Sequence, residues 1–427
     1  MNILIIKNDG LGDLILTLDL IKKIKKDMHN VDIVLSKNNE FLLKNSQNFK
    51  KYIFDIYGSN YTHTKRMSKN DKLNLIKLKK KNYDLCIVLR RYLNDEQVLI
   101  LNQISTKKLI LCHQYFSSKV KLNQTYKKIY VPKNLVHDTD YFRFFLKKIN
   151  LIKSDKIKTK KKQYVDKKYL ILNLSGERQL KNIDNLNFLL KIIIKNYKSK
   201  IYIIGKTIDD EMNEKISVLL KNFKIKNLIN LWSKTNFNMS IKLINKAEHY
   251  VGFDTGLSHY ACINNKHSLI IMDSGGNHKW FPYPEHLNSN LSYWTYNVPC
   301  SGCNFSGQLN KCFFKIRYCV DNIFLNKQKV SLEFSKFLNK DSARFLNFSK
   351  YNHFISDWTL VNGEKKILYF LKENGEIIIS KKNGYKLYKI ITNWLSFIIK
   401  NKINFIYKFK ILIKNILSFF NYFKIRD

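Results

Sequence analysis

The first two dozen residues constrain this chain more than any other stretch. Residues 3–6 form an unbroken apolar run, Asn8-Asp9-Gly10-Leu11-Gly12-Asp13 turns, and Leu14, Leu18, Ile21 and Ile24 then recur at helical spacing. A run without polar alternation suits a strand buried on both faces. A glycine turn that feeds directly into a helix is the opening of a βαβ unit. Further strand-like runs at 31–35 and 85–89, with Lys/Leu-rich helical segments between, extend the same alternation.

A lysine-dense, apolar-poor stretch at 153–168 interrupts the pattern and reads as a linker, after which the alternation restarts. Residues 169–174, 201–204, 249–253 and 268–272 read as strands, and 185–197 and 257–263 as helices. Two sequential α/β domains follow, an N-terminal one over 1–155 and a C-terminal one over 169–335. Beyond residue 340 the pattern changes. Apolar runs at 366–371 and 376–380 flank Lys372-Glu373-Asn374-Gly375, and Asn-Gly between strands predicts a hairpin, hence a small β-module at 350–385. Residues 381–426 contain 11 Lys or Arg and no acid, while Leu387, Ile390, Ile391, Trp394, Phe397 and Ile398 follow helical spacing. A basic amphipathic helical tail over 386–427 is expected.

That tail sharpens the charge balance of the 427-residue chain, 76 Lys and Arg against 33 Asp and Glu, a formal +43. Such an excess calls for an acidic partner: nucleic acid, anionic lipid or a phosphorylated substrate. A hydrophobic fraction of 45% is ample for a core and argues against disorder. Asp9 and Asp13 interrupt any signal-peptide core, and no run of uncharged apolar residues reaches the length of a membrane span. Seven cysteines, with Cys86, Cys112 and Cys262 in apolar stretches, do not make a secreted disulfide framework. The expected location is cytoplasmic, peripheral on the inner face of the membrane, where the aromatic and basic tail meets anionic lipid.

Two loops carry the chemistry. Gly10 and Gly12 allow close backbone approach at the strand end, and Asp13 lies at the helix start, where it reads either as a functional carboxylate or as an N-cap. Asp254-Thr255-Gly256-Leu257-Ser258-His259 joins a strand to a helix, so the Thr255 and Gly256 amides and the positive helix end converge where a diphosphate fits. The alternative is a capped helix over a buried His259. Gly205-Lys206-Thr207 is no P-loop, because position 200 is lysine rather than glycine.

Together, Ile-Leu-Ile-Ile-Lys-Asn-Asp-Gly-Leu-Gly-Asp with Leu16-Thr17-Leu18, and Asp254 to His259, resemble the heptosyltransferases, the family 9 glycosyltransferases, over about residues 1–330. The resemblance implies a GT-B fold of two Rossmann-like domains facing across a cleft. It also implies inverting transfer from a nucleotide sugar, typically ADP-heptose, with no metal required for catalysis. It makes Asp13 the general base and puts the acceptor on the N-terminal domain. Thr255 and Gly256 would cradle the diphosphate, with Leu257 and Ser258 in the same loop and Asp254 and His259 beside the sugar. Lys181 matches the phosphate-binding lysine, although Asn182-Ile183 replaces the usual aromatic-proline pair and Arg178 competes for the role. Asp209, Asp210 and Glu211 are unranked candidates for the nucleotide ribose. Arg90 and Arg91, after the strand at 85–89, are read either as anchors for an anionic acceptor or as surface charges at a strand end.

Cys300, Cys303, Cys312 and Cys319 form a C-x2-C-x8-C-x6-C set. They read either as a structural zinc site or as four reduced thiols packing a loop; four thiolates would leave a zinc no open coordination position. Two rival functions remain at this level. A non-catalytic nucleic-acid-binding protein with a zinc module accounts for charge and cysteines but leaves both glycine loops unexplained, so no nucleic-acid partner is expected. A degenerate transferase homologue that only binds glycan would use the β-module as its recognition surface.

Overall fold

The computed structural model of the chain describes residues 1–25, 29–37, 39–43, 49–55, 67–112, 115–116, 120–132, 135, 137–153, 169–175, 182–207, 209–274, 280–284, 286–288, 290–298, 318–342, 345–349, 353–355, 368–371 and 377–380. Lys181, Arg178, Cys300, Cys303, Cys312, the expected linker from residue 154 and the tail over 386–427 lie outside the described residues.

In the N-terminal half the elements run β1 (Asn2–Lys7), α1 (Leu11–Lys25), β2 (Asn30–Ser36), β3 (Lys50–Phe54), α2 (Lys69–Lys79), β4 (Leu85–Val88), α3 (Asp95–Leu101), β5 (Leu109–Leu111), β6 (Lys127–Lys128) and α4 (Asp138–Lys148). The six strands form one parallel sheet in the order β6-β5-β4-β1-β2-β3. Ile3 stands beside Val31 on one side and Leu85 on the other. Helices cover both faces, which is why β1 is apolar throughout. Ile3 and Ile5 pack with Leu14, Leu18, Ile21 and Phe145 on one face, and Leu4 and Ile6 with Leu78, Val98 and Leu101 on the other.

The second half repeats this plan: β7 (Tyr169–Asn173), α5 (Ile183–Asn196), β8 (Lys200–Ile204), α6 (Asp210–Lys221), β9 (Leu228–Asn230), α7 (Phe237–Lys246), β10 (His249–Phe253), α8 (Gly256–Ile263), β11 (His267–Ile271), β12 (Leu291–Thr295), α9 (Tyr318–Asp321), α10 (Lys327–Leu338) and β13 (Phe345–Asn347). Its parallel sheet has the order β9-β8-β7-β10-β11-β12-β13. The seventh strand takes this sheet past residue 335, where the sequence pattern places the domain end. A separate antiparallel sheet comprises β14 (His353–Ile355), β15 (Leu368–Leu371) and β16 (Ile377–Ser380), with Leu371 opposite Ile377; Asn374 and Gly375 lie outside the described residues.

The sheet orders position the site. In each half the first strand has its sequence successor on one side and the fourth strand on the other, so the connections diverge there and leave a crevice at the strands' carboxyl ends. The glycine turn after β1 lies at that point in the first sheet, and the Asp254 loop after β10 at the equivalent point in the second. Helix α1 joins the halves. Its inward face serves the N-terminal core, while Leu16 packs with Tyr250, Leu257 and Ile270 in the other domain. Full burial of one leucine contributes roughly 1.5–3 kcal/mol, enough to make α1 a structural part of both domains.

Candidate active site

The two motif loops touch. A Cβ added to Gly12 would come within 2.7 Å of His259 Cδ2, and one on Gly256 within 2.7 Å of Leu11 Cδ2. Each glycine makes room for a side chain of the other domain's loop, so the starts of α1 and α8 pack together at the interface.

Asp13 is the third residue of α1, in the first turn of a helix that begins at Leu11. It is therefore not the N-cap, and it stands half-buried in the first turn. The loop before it is held from below. Lys7 Nζ donates to Asp9 Oδ2 at 2.8 Å and to the Leu89 carbonyl at 2.8 Å, and all of Lys7 and Asp9 is buried. The Asn39 amide donates to the carbonyls of Asp9 and Gly10, and Ser36 Oγ donates to Asp9 O at 3.2 Å. Gln97 Nε2 donates to Asn8 Oδ1 at 2.9 Å. Burial raises the Asp9 carboxyl to about 6 and outweighs the lowering charge of Lys7; nearby Asp13 adds to the rise and Arg90 opposes it.

The C-terminal loop is held by neutral groups. Asn173, the last residue of β7, donates through Nδ2 to Tyr250 OH at 2.7 Å and to Thr255 Oγ1 at 3.1 Å. Its Oδ1 accepts from Ser175 N at 3.1 Å and Ser175 Oγ at 2.6 Å. The Ser258 hydroxyl joins Tyr250 OH at 2.9 Å and donates to the Phe253 carbonyl. Thr255 is the N-cap of α8, its Oγ1 accepting from Ser258 N. With that bond made, the Gly256 and Leu257 amides remain the first-turn donors that no helical carbonyl reaches. Gly205 ends β8 at φ 114°, where a Cβ would meet Ser175 N at 2.6 Å, so this glycine serves the turn that abuts Asn173.

His259 is buried and stacks on Phe281, with centroids 4.3 Å apart and the rings 5° from parallel. Its Nδ1 lies 3.0 Å from Tyr283 OH, and its Nε2 lies 3.6 Å from Asp254 Oδ1, too long for a hydrogen bond but close enough for charge to matter. Burial holds the Tyr283 phenol protonated. If that phenol donates to Nδ1, the ring proton of neutral His259 is on Nε2, the nitrogen facing Asp254. The ring of Tyr283 in turn meets that of His137, the N-cap of α4, at 4.8 Å. His137 Nε2 lies 2.9 Å from the Trp280 carbonyl while Nδ1 accepts from Thr139 N at 3.3 Å. One neutral tautomer satisfies both, in accord with burial lowering this imidazole to about 4. Thr139 Oγ1 donates to Leu16 O at 3.0 Å, completing a link from α4 through α1 to α8.

Arg90 and Arg91 are 5% and 3% exposed, so the reading as surface charges is corrected. Arg91 Nε approaches Asp138 Oδ1 to 2.5 Å, off the hydrogen-bond line, and its guanidinium covers the Tyr141 ring at 4.1 Å. These contacts dock α4 onto the end of β4. Asp209 caps α6 through Met212 N at 3.1 Å and Glu211 pairs with Lys215 at 2.5 Å, which gives both local duties. Cys319 is half-buried beside the C-terminal core, and among the described residues no group of three or more metal-ligating side chains occurs. Sequence reasoning did not find Lys7, Asp9, His137, Tyr250, Phe281 or Tyr283. Only Asn173, a polar residue ending an apolar strand, and the Lys7/Asp9 pair ending another carried a local signal.

Two parallel Rossmann sheets, each contributing the loop at its own crevice to one interface, define a GT-B glycosyltransferase. The sequence matches the model of glycosyltransferase family 9 (heptosyltransferase) over residues 75–302, more than half of the chain. The chain belongs to that family. Solved structures that share its fold include the following two. A family 9 glycosyltransferase from Veillonella parvula DSM 2008 is 13% identical, with a TM-score of 0.54 over 79% of this chain and 97% of that one. E. coli heptosyltransferase WaaC with ADP-2-deoxy-2-fluoro heptose is 15% identical, with a TM-score of 0.51 over 67% of this chain and 92% of that one. No curated protein sequence matches the chain. Among the described residues, no helix is long and apolar enough to cross a membrane.

Proposed function

We propose that the enzyme transfers heptose from ADP-heptose, with inversion, to a lipid-linked anionic acceptor of the lipopolysaccharide core or a related surface glycan, at the cytoplasmic face of the membrane. The observation that carries this reading is the contact of Gly12 with His259, which brings the loop bearing Asp13 against the loop bearing the free α8 amides. The ADP-sugar analogue bound by WaaC supports the choice of donor.

The acceptor hydroxyl gives its proton to the Asp13 carboxylate as its oxygen attacks the anomeric carbon. The bond from that carbon to the diphosphate oxygen breaks on the opposite face, and the electron pair leaves with ADP. The Gly256 and Leu257 amides at the positive end of α8, with Lys181, take up the charge that develops there. Asp254 and His259 face the transferred sugar, and Arg90 remains a candidate for the acceptor's anionic groups. The scheme needs no cation. A zinc on Cys300, Cys303, Cys312 and Cys319 would be structural, and metal analysis of the purified protein tests for it. The basic tail would hold the enzyme at the membrane.

The test is Asp13→Asn assayed with ADP-heptose and a lipid-linked core acceptor. Transfer should fall by about 10²–10⁴-fold while ADP still raises the melting temperature as in wild type. Full transfer by the variant would remove Asp13 from the role of base. Stabilisation by UDP or GDP and not by ADP would overturn the choice of donor.

A further inference from the structure

Helix α2 has a surface that nothing in the transferase site uses. Ser68 and Asp71 form a capping box at its start, and Asp71, Asn74 and Leu78 face inward, with Asp71 Oδ1 also accepting from Asp55 N at 2.7 Å. The inward face is thus the polar-capped one, and it holds the helix's only carboxylate. The outward face runs Lys69, Leu73, Ile76, Lys77 and Lys80, a stripe at i, i+4, i+7, i+8 and i+11, with Lys72 and Lys79 at its edges. Leu73 is 48% exposed and Ile76 52% exposed. Single exposed apolar residues are ordinary, but here two adjoin at the centre of a helix face and are framed by lysines. Of the carboxylates at the two ends of α2, Asp55 is engaged at the helix start by Ser68 Oγ at 2.8 Å and by Lys37 at 3.7 Å, and Asp32 is engaged past the helix end by Lys81 at 2.6 Å.

We propose that α2 is an interfacial helix that seats the N-terminal domain on an anionic lipid surface, Leu73 and Ile76 entering between headgroups and Lys69, Lys72, Lys77 and Lys80 meeting lipid phosphates. Apolar side chains alone would suit a protein partner, and lysines alone would suit any polyanion. The combination on one exposed helix face, two apolar side chains ringed by long flexible cations, is what a charged bilayer boundary selects. The inference rests on the membrane association proposed above but assigns it a second contact, apart from the C-terminal tail and on the domain expected to hold the acceptor.

The experiment is co-sedimentation of the full-length chain with vesicles of mixed phosphatidylcholine and phosphatidylglycerol and with vesicles of phosphatidylcholine alone. Wild type should bind the mixed vesicles. A variant with Lys69, Lys72, Lys77 and Lys80→Glu, and another with Leu73→Asp and Ile76→Asp, should each bind about tenfold more weakly or worse, with circular dichroism and the ADP-induced thermal shift unchanged. A third variant, Leu73→Trp, should shift its fluorescence to the blue on adding mixed vesicles, which reports insertion independently of the folding of the other two. Failure of wild type to bind any vesicle would overturn membrane association as a whole. Wild-type binding that the α2 variants retain, or no blue shift in Leu73→Trp, would overturn the role of α2 alone. Loss of RNA binding in the lysine variant with vesicle binding intact would overturn lipid as its partner.

Discussion

The two motif loops stand at equivalent places in two similar sheets, yet they are supported by opposite chemistry. Beneath the Asp13 loop lie buried charges: Lys7 on Asp9, Arg91 on Asp138, with Arg90 beside them. Beneath the Asp254 loop lie an amide and hydroxyls: Asn173, Tyr250, Thr255 and Ser258. The difference suits the charge that each loop would manage under the proposed function. Fixed charges beneath the Asp13 loop would hold a carboxylate that has to meet the acceptor hydroxyl. A loop proposed to receive a diphosphate would gain from uncharged supporting groups, which hold α8 in place without adding a further negative charge beneath it.

The largest effect should come from breaking the contact between the loops. Gly12→Ala places a methyl group 2.7 Å from the His259 ring, so one loop has to shift. If the proposed site lies there, a shift of about 1 Å would cost about 10²-fold in rate, which a transfer assay at saturating donor would read. Next comes the neutral network. Asn173→Leu strips Tyr250 OH and Thr255 Oγ1 of a buried donor and should lower stability by about 1–3 kcal/mol in urea denaturation, with weakened ADP binding. Because no titrating group is lost, the loss should be the same at every pH from 5 to 8, roughly the range in which proteins are most stable.

The smallest and most diagnostic effects are in pH dependence. His137 is lowered from 6.5 to about 4, so the folded state disfavours its cation and stability should fall as pH drops from 6.5 toward 4. Asp9 is raised from 3.8 to about 6, so the folded state favours its neutral acid and this group has the opposite sign: its contribution falls as pH rises from 4 to 6. Urea midpoints across this window should therefore show a flatter acid loss for His137→Gln than for wild type, and a steeper one for Asp9→Asn. Equal slopes in all three would separate these residues from the electrostatics described.

How much of this was legible beforehand depended on sequence distance. The strand, glycine turn and helix at residues 3–24 and the Asp-Thr-Gly loop are local, and periodicity and helix-end chemistry suffice to place them. Strands of two or three residues such as β5 and β6 leave no periodic trace, and α8 begins at Gly256 rather than at Leu257 because Thr255 can cap it. The dibasic Arg90-Arg91 looks like a surface feature in isolation. Its burial is set by Asp138 and Tyr141, some fifty residues on, and the His137 contact to Trp280 spans 143 positions. The site was legible where one loop makes it and illegible where the two domains meet.

That meeting is the central claim, and a double-mutant cycle tests it most directly. Gly12→Ala, His259→Ala and the double variant would be compared by urea denaturation. If the two loops are in contact as described, removing the ring makes room for the methyl group, so Gly12→Ala should cost less in the His259→Ala background, with an interaction energy of about 0.5–3 kcal/mol. Additive costs, with Gly12→Ala equally damaging whether or not the ring is present, would contradict a site built by the two loops together.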